Sequence, residues 1–588
     1  MASRALFATN GAGVRSPAVA LPIRGICSPP VQVSISSKKA KGDGKRRALV
    51  GSGAEGLVEL ESGGEEKKEQ NETKKNNNKG WIHFVGIGGS GLSALAMLAL
   101  KQGFEVSGSD IMWSSFMDQL HRAGVRLTIG HSRSCLEGHN GSGPPDAIVI
   151  SSAIPADNEE ILHAKSIGIP IYKRDDWLKI VTENYNLIAI SGTHGKSTTA
   201  AMLSYVLEAM GDNPIAVVGA NVPQFSGGNI IPGIGPNFVL EADEYDSCFL
   251  GLSPSVAVVT NVEWDHVDIF QDEAAVQNVF QQFVNQIRIG GHLILCGDSP
   301  GAYELLSKTR REIISSSCMG SASTDSLWYS ITTYGLSNEY DWHASSITPN
   351  LQGGQDYVLN YKGCQIADIK LLLPGVHNVL NSLAVIATVS TLFKDQNCVP
   401  STIDSVRYHL STFEGVTRRF ELIGIANGCQ IYDDYAHHPT EVRAVLQAAR
   451  QKFSSQTILV VFQPHTFSRL AALVNEFSTA FNNADYVIVT EIYAARETNN
   501  WNSHGRDLAA LIRGPSSEYI PKLVRGLEDV IDKLVLQIQS DINQETVILT
   551  LGAGDITSLG PELLRRLQGY NKMSTKMHRD ITHVPLLA

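Results

Sequence analysis

Residues 188–205, Ile-Ala-Ile-Ser-Gly-Thr-His-Gly-Lys-Ser-Thr-Thr-Ala-Ala-Met-Leu-Ser-Tyr, run from an apolar strand through a glycine loop into a helix. That order marks the start of an α/β unit. The loop, Gly192 to Ser197, has the chemistry of a phosphate cradle. Backbone N–H groups and the helix N-terminus attract phosphate oxygens, Lys196 adds a point charge, and Ser197 offers a hydroxyl to Mg²⁺. The first glycine of the general G-x-x-x-x-G-K-[ST] pattern would fall at Ile190. This is therefore a shortened G-T-x-G-K-[ST] loop, a form that belongs to few ATP-using families.

A chain of 588 residues is too long for one core, and about 150 residues per domain predicts three or four domains. No apolar run approaches the roughly 20 residues of a membrane helix, so no membrane association is expected. The eight cysteines are scattered without a CxxC pair, which argues against a zinc site or a disulfide framework and fits a reducing compartment. The net charge of −11 conceals two opposite parts. Residues 1–48 carry nine basic side chains and one acidic, leaving −19 on the remainder. Such a chain has little general attraction for nucleic acid. The basic, Ser/Ala/Pro-rich start lacks the apolar core of a secretory signal. It has the composition of an organelle transit peptide over 1–48, and its Met-Ala start favours the chloroplast over the alternatives, a mitochondrial or a cytoplasmic location.

Residues 49–80 are Glu/Lys/Asn/Gly-rich and read as a disordered linker. From Trp81 to about Thr182, strands are predicted at Ile82–Val85, Glu105–Gly108, Ala147–Ser151 and Ile169–Tyr172, with helices near 91–102, 114–123 and 158–167. A second unit, 183–410, holds Leu187–Ser191, Phe238–Glu241, Val256–Thr260 and His292–Leu295, then a β-rich stretch over Ser330–Leu373. A third, 411–588, holds Gln430–Tyr432, Ile458–Phe462, Tyr486–Thr490 and Val547–Leu551. The fold expected is three consecutive α/β domains with parallel sheets.

Gly86-Ile87-Gly88-Gly89-Ser90-Gly91 is a G-x-G-x-x-G between a strand and a helix, suited to a diphosphate at the helix N-terminus. Asp110 ends the next strand, where an acid meets a ribose or a base. Alone, this loop suggests NAD or FAD. In the second unit, Glu241-Ala242-Asp243-Glu244 and Asn261-Val262-Glu263-Trp264-Asp265-His266 each follow an apolar strand. Ligands of parallel sheets sit at the carboxyl ends of strands, so both segments should face the phosphate loop.

GTHGKST, EADEYD, NVEWDH, PGVHNVLN (374–381), RRFE (418–421), DDYAHHPTE (433–441) and FQPHTFSR (462–469) occur in that order. The chain resembles the Mur ligases over roughly residues 81–565, most closely their alanine-adding branch. The resemblance implies a Rossmann-like domain for a UDP-sugar, a central P-loop ATPase domain and a C-terminal Rossmann-like domain. It turns the first glycine loop into a UDP-diphosphate site, with Gly86, Gly88, Gly89, Gly91, Asp110 and Ser152 on the UDP-sugar. It implies ATP on Gly192, Thr193, His194, Gly195, Lys196, Ser197 and Thr198, with His377 and Asn378 at the adenine and Arg419 and Asp434 reaching over from the third domain. Ser197, Glu241 and His266 are the implied Mg²⁺ ligands, and Lys196, Glu241, His266 and Arg419 the catalytic groups. His437, His438, His465 and Arg469 are implied on the amino-acid side, although one of the two adjacent histidines precedes Pro439 at a helix start and could simply cap it.

The implied reaction joins L-alanine to the carboxylate of UDP-N-acetylmuramate through an acyl phosphate at the expense of ATP. Later-acting branches carry a carbamoylated lysine some 15 residues after the histidine of this segment. Here Val279-Phe280-Gln281-Gln282-Phe283 has no lysine, which suits the alanine-adding branch. A ligase of the same type acting on a murein tripeptide or folate-type acid, and a non-catalytic descendant, remain as alternatives. An NAD-dependent oxidoreductase would leave the second phosphate loop unexplained.

Overall fold

Strands buried on both faces set the architecture. The protein, described here from a computed structural model, is defined over residues 80–138, 143–306, 328–393, 399–495, 497–521, 526–540 and 545–569. The leader at 1–48 and all but the last residue of the linker lie outside these. Among the described residues no helix is long and apolar enough to cross a membrane.

The first sheet has five parallel strands: β1 (Trp81–Val85), β2 (Glu105–Asp110), β3 (Arg126–Ile129), β4 (Ala147–Ile150) and β5 (Ile171–Lys173), in the order β3-β2-β1-β4-β5. Every residue of β1 is buried, as expected of a central parallel strand covered by helices. β2 and β4 flank β1 in opposite directions, so the strand order reverses there and the Gly86–Gly91 turn opens into a crevice. β3 is absent from the sequence-based strands because it is a half-exposed edge, Arg-Leu-Thr-Ile, without an apolar run.

The middle sheet is built around β6 (Asn186–Ser191). β9 (Asn237–Glu241) pairs parallel on one side and β10 (Val256–Val259) on the other. Beyond β9 lie the short strands β7 (Ile215–Val217) and β8 (Ile230–Pro232), too short to leave a periodic signature. Beyond β10 the sheet continues through β11 (His292–Cys296), β12 (Ser330–Gly335), β13 (Trp342–Pro349), β14 (Gln355–Tyr361) and β15 (Cys364–Leu371). The β-rich stretch thus extends the ATPase sheet to ten strands, turning antiparallel only from β13 onward.

The third sheet has the order β16-β17-β21-β18-β19-β20, from β16 (Glu421–Ala426), β17 (Cys429–Asp434), β18 (Thr457–Phe462), β19 (Tyr486–Val489), β20 (Ser516–Tyr519) and β21 (Thr546–Leu551). Only β16 is antiparallel. One hydrophobic core unites the first and middle sheets: Phe84 packs edge-on to Trp177, and Phe249 stacks on Phe283 with centroids 4.6 Å apart. Phe280 and Phe283 come from the helix Glu273–Val284. The lysine-free stretch 279–283 therefore includes two buried core aromatics.

Candidate active site

β6 delivers the phosphate loop to the centre of the middle sheet. Gly192 (φ +136°) and Gly195 (φ +82°) take conformations that L side chains avoid. A Cβ on Gly192 would collide with Thr260 Oγ1, and one on Gly195 would lie 2.7 Å from Asn381 Oδ1. The loop is tied to the end of β10: the His194 N–H donates to Asn261 Oδ1 (2.8 Å), Thr260 Oγ1 donates to the His194 carbonyl (2.6 Å), and the Glu263 N–H donates to Thr193 Oγ1 (2.9 Å). The helix Lys196–Ala209 starts on Gly195 without a side-chain cap or an acidic residue in its first turn. Its free N-terminal amides are what a phosphate requires.

β9 and β10 bring both acidic segments to this loop, as expected from their position beside β6. Ser197 Oγ donates to Glu241 Oε1 (2.9 Å), and the Gly219 N–H donates to Glu241 Oε2 (2.5 Å). Lys196 Nζ bonds both oxygens of buried Glu244 (2.6 and 2.9 Å) and lies 3.8 Å from Asp243. Burial disfavours the Lys196 ammonium, but Glu244 and Asp243 outweigh it and raise its pKa. Burial likewise pushes the Glu241 carboxyl up, whereas Asp243, also opposed by burial, is held down by Lys196 and His266. His266, at φ +52°, points Nε2 to Glu244 Oε1 (3.4 Å) and meets the Tyr245 ring edge-on. Ser197 and Glu241 are therefore brought together as the sequence predicts, while His266 is set on Glu244. Asp243, Glu244 and His266 hold their ligand atoms within 4.8 Å of one another. A hydroxyl and three carboxylates form a hard-oxygen donor set that fits Mg²⁺.

A cavity of about 540 Å³ opens between the middle and third sheets beside the loop. His194, Gly195, Ser197 and Thr198 line it from the loop, His377 and Asn378 from the helix Val376–Leu392, and Arg419 and Asp434 from the third domain. His377 is lowered to about 4 by burial and by the Arg419 charge, so it stands neutral. Arg419 Nη1 pairs with Glu441 (3.3 Å), and its guanidinium lies over the Tyr435 ring. Asp434 accepts the N–H groups of Phe420 and Ala436, and burial pushes its carboxyl up to about 6 against the pull of Arg419. Asp434 thus shapes the turn that presents Arg419 and Tyr435.

The histidines divide. His438 caps the helix Pro439–Lys452, accepting the Thr440 N–H, and its ring lies 4.7 Å from that of His194. Burial and the nearby His194 charge lower His438 to about 4. His194 itself is opposed by burial, yet Glu441 and Glu263 raise it to about 10. His437 pairs with Glu441 (3.2 Å) and abuts His465, which stacks flat against Tyr493. Burial, reinforced by His437 and Arg469, lowers His465 to about 3. Arg469 is 3% exposed and committed to Asp265 (2.7 Å) and the His465 carbonyl (3.0 Å), so it acts as a strut between domains. Sequence reasoning gave no individual role to Asp265, Glu263, Thr440 or Glu441. The signal was their place inside NVEWDH and DDYAHHPTE, which meet across the interface: Thr440 Oγ1 donates to Glu263 Oε2 (2.7 Å).

In the first domain, Gly86 (φ +84°) makes the tight turn after β1. The Gly88 N–H donates to Asp110 Oδ2 (2.8 Å), and Ser114 Oγ donates to the Gly88 carbonyl (2.8 Å). Asp110 is therefore a brace for the loop as well as a group at its mouth. Gly89 caps the helix Ser90–Lys101 without a side-chain bond, leaving Gly91 in an uncovered first turn. Ser152 is exposed just beyond β4.

A phosphate loop in a ten-stranded central sheet, between two mostly parallel α/β sheets, defines a three-domain P-loop nucleotide-dependent class. Three family descriptions cover it in order: "Mur ligase family, catalytic domain" over residues 81–186, "Mur ligase middle domain" over 190–389, and "Mur ligase, glutamate ligase domain" over 418–554. The chain belongs to the Mur ligase family. It is 41% identical to the UDP-N-acetylmuramate–L-alanine ligase of Frankia casuarinae, over 83% of this chain and 97% of that protein. It is 37% identical to the ligase of the same name from Mycolicibacterium smegmatis, over 83% and 95%. The crystal structure of the UDP-N-acetylmuramate–alanine ligase of Thermotoga maritima superposes with a TM-score of 0.65 at 27% identity, covering 84% of this chain and all of that one.

Proposed function

We propose that this chain joins L-alanine to the carboxylate of UDP-N-acetylmuramate with cleavage of ATP to ADP and phosphate, a step in peptidoglycan precursor synthesis. The observation that carries this reading is the Lys196 loop itself, which faces the Arg419–Asp434 turn across one cleft and holds the Glu241 and Glu244 carboxylates through Ser197 and Lys196. The relatives' identity over most of the chain supports the choice of substrates.

The first-turn amides and Lys196 bind the ATP phosphates, with His377 and Asn378 at the adenine end. Ser197 and Glu241, with Asp243, Glu244 and His266 beside them, would hold Mg²⁺, which would supply charge neutralisation at the phosphates. A carboxylate oxygen of the sugar substrate bonds to the γ-phosphorus, and the bond to the ADP oxygen breaks. The alanine amine then bonds to the acyl carbon, the carbon–oxygen bond to phosphate breaks, and the amine loses its proton. Lys196 and Arg419 face the charge that develops on the transferring phosphoryl group. His437 and His465 border the amino-acid side, with Arg469 fixing His465. Incubating the purified protein with ATP, Mg²⁺, L-alanine and a panel of acids tests this. Phosphate release is expected with UDP-N-acetylmuramate and not with a murein tripeptide or a folate; release only with one of the latter overturns the substrate assignment.

Residues 1–48 serve as a chloroplast transit peptide in this reading, supported by their charge and Ser/Ala/Pro content. A fluorescent protein carrying them is expected in chloroplasts; a cytosolic signal rules the address out.

A further inference from the structure

Arg174 opens the helix Arg174–Thr182 directly after β5 and turns toward the first glycine loop. A Cβ placed on Gly91 would lie 3.2 Å from Arg174 Nη1 and 3.6 Å from its Cδ. Arg174 Nε is sealed from solvent and has no acceptor, and the guanidinium forms no hydrogen bond or ion pair with any described residue. The side chain borders a cavity of about 110 Å³ at the junction of the first two domains, together with Gly91, Gly219, Glu241 and Asp243. Asp243 feels the Arg174 charge but stands too far away to pair with it.

This placement is unfavourable for the protein alone. An enclosed guanidinium donor without an acceptor costs free energy. A cation beside the first turn of a helix also opposes the helix dipole. Two bare glycines keep the gap open: a side chain at Gly91 would press on Arg174, and one at Gly219 would sit 2.7 Å from both oxygens of Glu241. What completes the arrangement is an oxyanion, held by the first-turn amides on one side and the guanidinium fork on the other. The same cation would screen that anion from Glu241 and Asp243.

We infer that Arg174 is a binding residue for the diphosphate of the nucleotide sugar, clamping it across the junction between the glycine loop and the acidic cluster. The inference rests on the substrate assignment above and adds to it a residue that no motif singled out. It predicts recognition of the second phosphate, because a guanidinium paired with a diphosphate contributes little to a nucleoside alone.

The test is equilibrium binding of UMP, UDP and UDP-N-acetylmuramate, without ATP, to the full-length protein and to its Arg174→Gln and Arg174→Lys variants. Thermal melting of each confirms folding. Arg174→Gln is expected to weaken UDP and UDP-N-acetylmuramate roughly ten- to a hundredfold, the worth of a charge-assisted contact, and to leave UMP and ATP unchanged. Arg174→Lys should recover part of the loss, and the salt dependence of UDP binding should flatten in Arg174→Gln. An unchanged UDP affinity overturns the proposal. So does a loss confined to UDP-N-acetylmuramate, which would place the sugar's carboxylate at Arg174. An equal loss of ATP affinity overturns it too, since Arg174 would then merely balance the acidic cluster. A wild-type protein that binds UDP but not UDP-N-acetylmuramate overturns the substrate assignment while leaving the diphosphate contact standing.

Discussion

The buried pair Asp265–Arg469 allows a sharp test of how the third domain is held on the middle one. Asp265 follows β10, Arg469 lies on the helix Phe467–Ala480, and their side chains meet at 2.7 Å with about 5% of each exposed. Burial penalises the Asp265 carboxylate, but Arg469 and then His266 hold its pKa well below the usual range. Breaking such a pair by removing one charge costs about 3–5 kcal/mol, because the other charge stays buried and uncompensated. Here the protein has a cheaper escape: the domains can part and let water reach Arg469, so the penalty is bounded by the free energy of opening. Asp265→Asn keeps the shape and an acceptor but removes the charge. It is expected to raise hydrogen exchange about a hundredfold in 263–270 and 467–475, equivalent to about 3 kcal/mol. The double variant Asp265→Leu/Arg469→Met should recover most of this, and with its two component single variants should give a coupling energy above about 1 kcal/mol. Sign matters for pH. A depressed carboxylate stabilises above its unfolded pKa of about 4 and loses that contribution as pH falls through its folded value, so the protection factors of wild type should be flat from pH 5 to 8 on this account. If the single and double variants add within about 0.5 kcal/mol, the pair does not hold the domains and the reasoning fails.

Other perturbations address the phosphate loop. Lys196→Ala should abolish ATP consumption while UDP-sugar affinity stays largely intact, read by phosphate release and calorimetry; equal loss of both would contradict separate roles for the two glycine loops. Gly195→Ala forces a Cβ into a left-handed conformation against Asn381, and should cost roughly 1–2 kcal/mol in backbone strain alone and raise the ATP dissociation constant tenfold or more. His194, raised to about 10 by Glu441 and Glu263 against burial, contributes stability that is complete below about pH 6.5 and declines as pH rises toward 10. Its ring proton shifts should stay constant through pH 8; a midpoint near 6.5 would show that the contact with the third domain is not made in solution.

The legible parts of this fold were those with a period or a loop that only one conformation satisfies. The buried parallel strands at 187–191, 256–260 and 458–462 announced themselves as apolar runs, and the two glycine loops fell between strand and helix as read. The edge strands β3, β16 and β20 did not, because half-exposed strands mix polar and apolar residues without a long run. The site was legible as a set of segments but not as a set of pairs. EADEYD and NVEWDH could be placed at the carboxyl ends of neighbouring strands. That His266 would turn to Glu244, and Glu241 to Ser197 and Gly219, depended on the left-handed backbone at residue 266 and on a three-residue strand, β7, that no pattern marked. Arg174 was invisible for a related reason: an arginine at a helix start is ordinary, and only the absence of a partner in three dimensions makes it notable.

The contrast between the two domain junctions fits the chemistry proposed. The first and middle domains share one apolar core through Trp177, Phe249 and Phe283. Separating them would expose large aromatic surface, so the first glycine loop and the phosphate loop hold a fixed spacing. Contacts of the phosphate-loop edge with the third domain are mainly ionic and polar, His194 to Glu441, Thr440 to Glu263 and Asp265 to Arg469, with Trp264 packing against the third core beside them. Each of these polar groups can be rehydrated when the surfaces part, which makes opening far less costly than breaking an apolar core of equal area. An enzyme of this kind must admit ATP and an amino acid, exclude water from an acyl phosphate, and then release ADP. A rigid apolar junction on the sugar side and a charged, water-exchangeable one on the nucleotide side meet these demands together. On this view, loosening the ionic junction should slow coupled ligation more than it weakens binding of the nucleotide sugar.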